Sequence, residues 1–87
     1  NIVGLFLTND SPTAQTVIRQ NLFRNNDNPG PAGGTAIYTD QFSGGPTVTN
    51  VVIDNNTFTG NTGPAVNFAS TQVGSQSNVT VSNNLIT

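Results

Sequence analysis

Thr49-Asn50-Val51-Val52-Ile53-Asp54-Asn55-Asn56-Thr57-Phe58-Thr59-Gly60-Asn61 is the stretch whose reading decides the fold. Val51 and Ile53 alternate with polar-side positions, two asparagines follow, then come Phe58, a glycine and a further asparagine. The same phrase runs earlier through Thr16-Val17-Ile18-Arg19-Gln20-Asn21-Leu22-Phe23-Arg24-Asn25-Asn26. It returns as Val79-Thr80-Val81-Ser82-Asn83-Asn84-Leu85-Ile86-Thr87. Superposed, Ile18, Ile53 and Val81 coincide, as do Asn21, Asn56 and Asn84, and then Phe23, Phe58 and Ile86. The offsets are 35 and then 28 residues. Self-similarity at such a period marks stacked supersecondary units, none of which buries its apolar side alone.

A second phrase precedes each copy of the first: Val3-Gly4-Leu5-Phe6-Leu7-Thr8, Thr35-Ala36-Ile37-Tyr38-Thr39-Asp40 and Pro64-Ala65-Val66-Asn67-Phe68-Ala69. Small residues align (Gly4, Ala36, Ala65), then aliphatic ones (Leu5, Ile37, Val66). Each unit therefore holds a short strand, a loop, a second short strand, an asparagine turn and a very short third strand. Three units fill the chain, at roughly 1–34, 35–63 and 64–87. A meander would need a tight hairpin turn after each strand, with Asn-Gly or Asp-Gly favoured, and neither dipeptide occurs. Parallel stacking of equivalent strands, about 4.8 Å apart, satisfies the repeat instead. Alternation then points Leu5, Ile37 and Val66 inward, together with Leu7, Thr39 and Phe68. Ile18, Ile53 and Val81 fill a second wall, and Phe23, Phe58 and Ile86 a third. Phe6, Tyr38 and Asn67 face outward on the first sheet; Arg19, Asp54 and Ser82 do so on the second.

The phrase, with its asparagine and an apolar residue two positions on, resembles the repeat of right-handed parallel β-helix proteins, the architecture of pectate lyases and related polysaccharide-acting enzymes. The resemblance covers essentially the whole chain. It implies an all-β fold, a right-handed parallel β-helix: a single-stranded solenoid of about three rungs with three short parallel sheets. The asparagines at 21, 56 and 84 acquire a mechanism there. At a sharp bend an Asn tolerates left-handed backbone angles and bonds nearby backbone groups, and stacked amides bond along the axis. They belong to the scaffold.

Composition narrows the function classes. The charged residues are Asp10, Asp27, Asp40, Asp54, Arg19 and Arg24, for a net charge of −2. A nucleic-acid or anionic-membrane surface has nothing to be built from. No apolar run approaches the length of a membrane span and no signal-peptide pattern is present, so membrane insertion is not expected. Cysteine and histidine are absent, so disulfides and thiolate or imidazole metal sites are excluded. Fourteen asparagines and thirteen threonines accompany frequent β-branched residues, which favours strands over disorder. Methionine is also absent, which leads us to expect a piece of a longer chain.

Loops differ between units, and a repeat fold keeps its individuality there. They are expected at 9–15, 41–48 and 70–77 after the first strands, and at 25–34 and 60–63 after the third. Residues 25–34, dense in Pro and Gly, should form an irregular protruding loop. Both sets border the first sheet, whose outer face is therefore the expected groove. Its candidate ligand-binding residues are Phe6, Tyr38, Asp40 and Asn67. Exposed aromatics in a row suit the apolar face of a sugar ring, and the resemblance implies polymer binding along this sheet. The same pair also fits a purely structural role, as cross-strand neighbours steadying the sheet.

Asp10, Asp27 and Asp40 are the carboxylates that could hold Ca2+, which takes six to eight oxygen ligands. The resemblance implies such calcium in lyases, where a basic residue abstracts the proton. Lysine is absent here, and Arg19 belongs to another wall. The glycine-aspartate nonapeptide of calcium-binding β-rolls is missing too. A hydrolase would need two acids at a separation of roughly 5–10 Å, which no aspartate spacing guarantees. No catalytic residue is assigned, no cofactor is required, and the three aspartates also fit solvated turns. Arg19 and Asp54, one rung apart, should form an exposed ion pair. The N-glycosylation patterns at Asn9, Asn55 and Asn78 are what chance produces in so Asn- and Thr-rich a chain. An ice-binding face would need a regular threonine ladder, but the outward column Val17, Val52, Thr80 is mostly valine.

Both ends lack a polar cap, and an uncapped stack exposes apolar core and unpaired strand edges. Flanking rungs of a longer chain or end-to-end self-association would each satisfy those edges. Three functions are carried forward. The first is a non-catalytic scaffold segment of a secreted or cell-surface protein that contacts polysaccharide. The second is part of a polysaccharide lyase, epimerase or hydrolase with its groove on the first sheet. The third is a self-stacking structural unit.

Overall fold

Runs of alternating β-branched and polar residues become strands, and the asparagine-rich punctuation between them becomes corners. The computed structural model describes residues 1–40, 47–69 and 76–87. These contain β1 (Val3–Phe6), β2 (Thr16–Arg19), β3 (Leu22–Arg24), β4 (Thr35–Thr39), β5 (Val48–Asp54), β6 (Thr57–Thr59), β7 (Val66–Phe68), β8 (Gln76–Ser82) and β9 (Leu85–Ile86), with no helix among the described residues. The strands form three three-stranded sheets in the orders β1-β4-β7, β2-β5-β8 and β3-β6-β9. Every pairing is parallel. The chain thus visits the same three sheets in the same order three times, an all-β arrangement compatible with a coiled repeat.

The registers match the superposed phrases. Leu5, Ile37 and Val66 lie side by side, as do Phe6, Tyr38 and Asn67. In the second sheet Ile18, Ile53 and Val81 align; in the third, Phe23, Phe58 and Ile86. The apolar column they form is dry in the middle passage, where Ile37 and Ile53 are fully buried and Phe58 is 2% exposed. Phe58 stacks face to face on Phe23, with ring centroids 5.0 Å apart and planes 8° from parallel. Val81 and Ile86 occupy the same inward columns, yet are 50% and 64% exposed. No described residue lies beneath them.

Strict alternation fails within β5. Val48, expected in a loop, is the first residue of β5 and is fully buried, as is Val51 three positions on. Asn50 between them has φ 54°, and Asn78, its partner position in β8, has φ 50°. A left-handed residue inside the strand turns its course, so that both valines face inward at a spacing of three. Asn9 pairs with Val48 through an isolated parallel bridge, which brings the start of the expected 9–15 loop into the same wall. Of the expected loops at 41–48 and 70–77, residues 41–46 and 70–75 lie outside the described residues.

The corners correct another expectation. The left-handed backbone belongs not to Asn21, Asn56 and Asn84 but to the residue before each: Gln20 (φ 58°), Asn55 (φ 53°) and Asn83 (φ 54°). That residue takes the bend, which frees the following asparagine to turn its amide along the stack. Asn21 donates from its backbone N–H (3.0 Å) and Nδ2 (3.1 Å) to Asn56 Oδ1. Asn56 does the same to Asn84 Oδ1, at 2.9 and 3.1 Å. A second corner of the same design follows β3 and β6. Asn25 (φ 58°) and Gly60 (φ 66°) turn the chain, and Asn26 donates to Asn61 Oδ1 from its backbone N–H (3.0 Å) and Nδ2 (2.8 Å). Residues 25–34 are accordingly no free loop: Asn26 is buried, and the Asn28 and Gly34 N–H groups donate to the carbonyls of Asn1 and Ile2. Close approach explains two glycines. A Cβ on Gly4 would lie 2.7 Å from the Ala36 carbonyl oxygen, and one on Gly34 2.5 Å from the Gly63 nitrogen, at φ +86°.

One buried polar atom is left over. Thr39 faces inward between Leu7 and Phe68, is fully buried, and its hydroxyl has no hydrogen-bond partner among the described residues. Desolvating a hydroxyl without a partner is costly, while a valine of nearly the same shape keeps the packing. Thr39→Val is therefore expected to raise stability by about 1 kcal/mol, seen as a higher urea midpoint at unchanged slope. An unchanged or lower midpoint would show that the hydroxyl is satisfied in solution.

Candidate functional site

The outer face of the first sheet gathers the aromatic residues expected there. Phe6 on β1 and Tyr38 on β4 are register partners, and parallel pairing places their rings edge to face, with centroids 5.9 Å apart and planes 68° apart. Asn67 on β7 completes the row. Phe6 is 41% exposed, while Tyr38, Asp40 and Asn67 are half-buried. The row thus offers water an apolar ring along the same face as an amide and a carboxylate.

Asp40 follows β4 directly and joins the row through a hydrogen bond: the Tyr38 hydroxyl donates to its Oδ2 at 3.0 Å. Partial withdrawal from water raises the Tyr38 pKa above its ordinary value, and the hydrogen bond and charge of Asp40 push it the same way. The phenol therefore stays protonated and keeps donating throughout the neutral range. This contact was not anticipated from sequence, although a signal for it existed. Residues two apart along an extended chain point to one side, so Tyr38 and Asp40 share a face.

Asp10 and Asp27 are exposed, and no three acidic side chains gather into a metal-holding group among the described residues. Arg19 and Asp54 form the expected ion pair on the second sheet, with Nε 2.7 Å from Oδ1 and Nη2 donating to Oδ2 at 3.4 Å. The bond and the charge of Asp54 raise the pKa of the guanidinium further. Exposed pairs of this kind contribute little to stability. Arg24 ends β3 opposite Thr59, on the third sheet. Neither arginine belongs to a strand of the sheet that carries the aromatic row.

The three N-glycosylation patterns differ in how their asparagines are used. Asn9 Nδ2 donates to the Ala14 carbonyl and the Thr16 hydroxyl, and its Oδ1 accepts from the Ser11 N–H. Asn78 Nδ2 donates to Asn50 Oδ1. Asn55 is exposed at its corner. Asn9 and Asn78 are thus part of the loop and strand framework, and none of the three is adjacent to Phe6 or Tyr38 in a sheet register. Comparison of the chain with protein-family models, with curated proteins and with solved structures found no match.

Proposed function

We propose that the chain is a segment of a right-handed parallel β-helix, similar to the pectate-lyase-like repeat, and that it serves as a non-catalytic scaffold of a secreted or cell-surface protein which contacts polysaccharide along its first sheet. The observation that carries the contact is the Phe6–Tyr38 pair, held in one outward row with Asn67 and anchored by the Tyr38–Asp40 hydrogen bond. Aromatic rings fixed by packing present their faces and edges at little entropic cost, and the amide and carboxylate beside them offer the donors and acceptors that sugar hydroxyls need. Support for a scaffold role comes from the acids and bases. Asp10, Asp27 and Asp40 do not cluster, and the two arginines belong to other sheets.

Electrophoresis of the chain through gels containing neutral or acidic polysaccharides tests this reading. Retarded migration is expected in at least one polymer, with affinity roughly tenfold weaker for Phe6→Ala. Equal mobility in all polymers, or retardation untouched by Phe6→Ala, would remove the binding face. Release of reducing or unsaturated sugars during incubation would replace the scaffold reading by the lyase or hydrolase one.

A further inference from the structure

Charge is distributed unevenly over the three sheets. Arg19 on β2 is held by Asp54 on β5, and Arg24 ends β3, so both arginines belong to the second and third sheets. The strands of the first sheet, Val3–Phe6, Thr35–Thr39 and Val66–Phe68, contain no charged residue. Residues 41–47 and 69–75, which continue the chain from Asp40 and from β7, add none. The charge that adjoins the aromatic row is the carboxylate of Asp40, bonded to the Tyr38 hydroxyl.

Tyr38 lies on the middle strand, with β1 on one side and β7 on the other, so its setting does not depend on either end of the stack. Its hydroxyl hydrogen is committed to Asp40 Oδ2, and burial together with the bond and charge of Asp40 keeps the phenol protonated. The phenol therefore meets a ligand through its oxygen lone pairs, and an ionised carboxylate only accepts. Asn67 brings the donor of the row, its side-chain amide. A row weighted toward acceptors suits a ligand rich in hydroxyl hydrogens. A sugar carboxylate would instead bring acceptors and negative charge to a place that already holds both, and no arginine stands on that sheet to offset them. Like charges a few ångströms apart near a protein surface weaken binding by about tenfold or more.

We propose that the first-sheet row selects a neutral polysaccharide, with the C–H face of a sugar on Phe6 and sugar hydroxyls donating to Asp40 and to the Tyr38 oxygen, and that Asp40 disfavours polymers of uronic acids. This selectivity presupposes the polysaccharide contact given under Proposed function and narrows it to one class of polymer. It sets the face apart from that of the lyases the repeat resembles, where calcium and a basic residue meet an acidic sugar.

Electrophoresis of the 87-residue chain through gels holding either hydroxyethyl cellulose, a neutral β-glucan, or polygalacturonate tests it, with a non-binding protein of similar charge as the mobility reference. At low salt the apparent affinity for polygalacturonate is expected to be at least about tenfold weaker than for the neutral polymer. Asp40→Asn removes the charge and keeps the shape, and is expected to shrink that ratio to about threefold or less. Raising the salt from about 0.01 to 0.15 M is expected to shrink it in the wild-type chain as well. Equal or tighter binding of polygalacturonate overturns the selectivity and leaves the contact with polysaccharide standing. A ratio left unchanged by Asp40→Asn, in a variant with the wild-type far-UV circular dichroism spectrum, overturns Asp40 as its source. Where that spectrum is lost, the salt series decides: a ratio that salt leaves unchanged overturns charge as the cause. Retardation in neither polymer overturns the polysaccharide contact itself.

Discussion

Asn56→Ala is expected to remove about 3–4 kcal/mol of stability, out of the roughly 5–15 kcal/mol typical of a whole domain. Asn56 is 1% exposed and its side chain serves both neighbours at once. It accepts from the Asn21 backbone N–H and Nδ2, and donates to the Ile18 carbonyl at 2.9 Å and to Asn84 Oδ1 at 3.1 Å. Alanine leaves the Ile18 carbonyl without its partner in the interior and takes a partner from Asn21 and Asn84 at partly buried positions, and an unsatisfied buried group costs more than a made bond contributes. The comparison that isolates this cause is Asn21→Ala. Asn21 is exposed and heads the column; without its amide, Asn56 Oδ1 still accepts from the backbone N–H of residue 21, and a loss of about 1 kcal/mol is expected. Urea unfolding of both variants at one fixed chain concentration measures the difference, since any association would add a concentration-dependent term. Equal losses at the two positions would show that burial of the middle amide is not what gives it weight.

Phe58→Ala is expected to cost about 3–5 kcal/mol. Phe58 is 2% exposed, lies parallel to Phe23 at 5.0 Å, and is flanked by Ile86 in the next passage. Truncation removes the stacked partner of Phe23 and leaves a ring-sized void between strands that the backbone ladders hold at fixed spacing, so the site cannot collapse to fill it. Ile86→Ala tests the same column at its open end. With Ile86 64% exposed, a loss below about 0.5 kcal/mol is expected in dilute solution. Comparable losses at 58 and 86 would mean that the last passage is covered in solution by something other than water.

The arrangement of sheets was legible because the repeat equates positions directly. Once Ile18, Ile53 and Val81 are superposed, the strand period of two assigns the side chains at 16–19, 51–54 and 79–82 to a face, and the register follows without any knowledge of the loops. The Arg19–Asp54 pair followed from that register alone, and its 2.7 Å contact is the sharpest test the register passes. In the candidate site, the Phe6, Tyr38 and Asn67 row was legible for the same reason. The same period puts Tyr38 and Asp40 on one face, but it does not fix the rotamers that bring the phenol within 3.0 Å of the carboxylate.

The residues alone thus determined which side chains stack on which, since period and repeat are properties of order along the chain. Only the tertiary structure decided which residue at each corner takes the left-handed bend, why Val48 turns inward past Asn50, that Asn26 and Asn61 form a second amide corner, and that the Thr39 hydroxyl is left without a described partner. Each of these depends on a single backbone dihedral or on what lies one passage above and below. Such contacts join residues 28 to 41 positions apart, and no local pattern of residue types encodes the angle at which they meet.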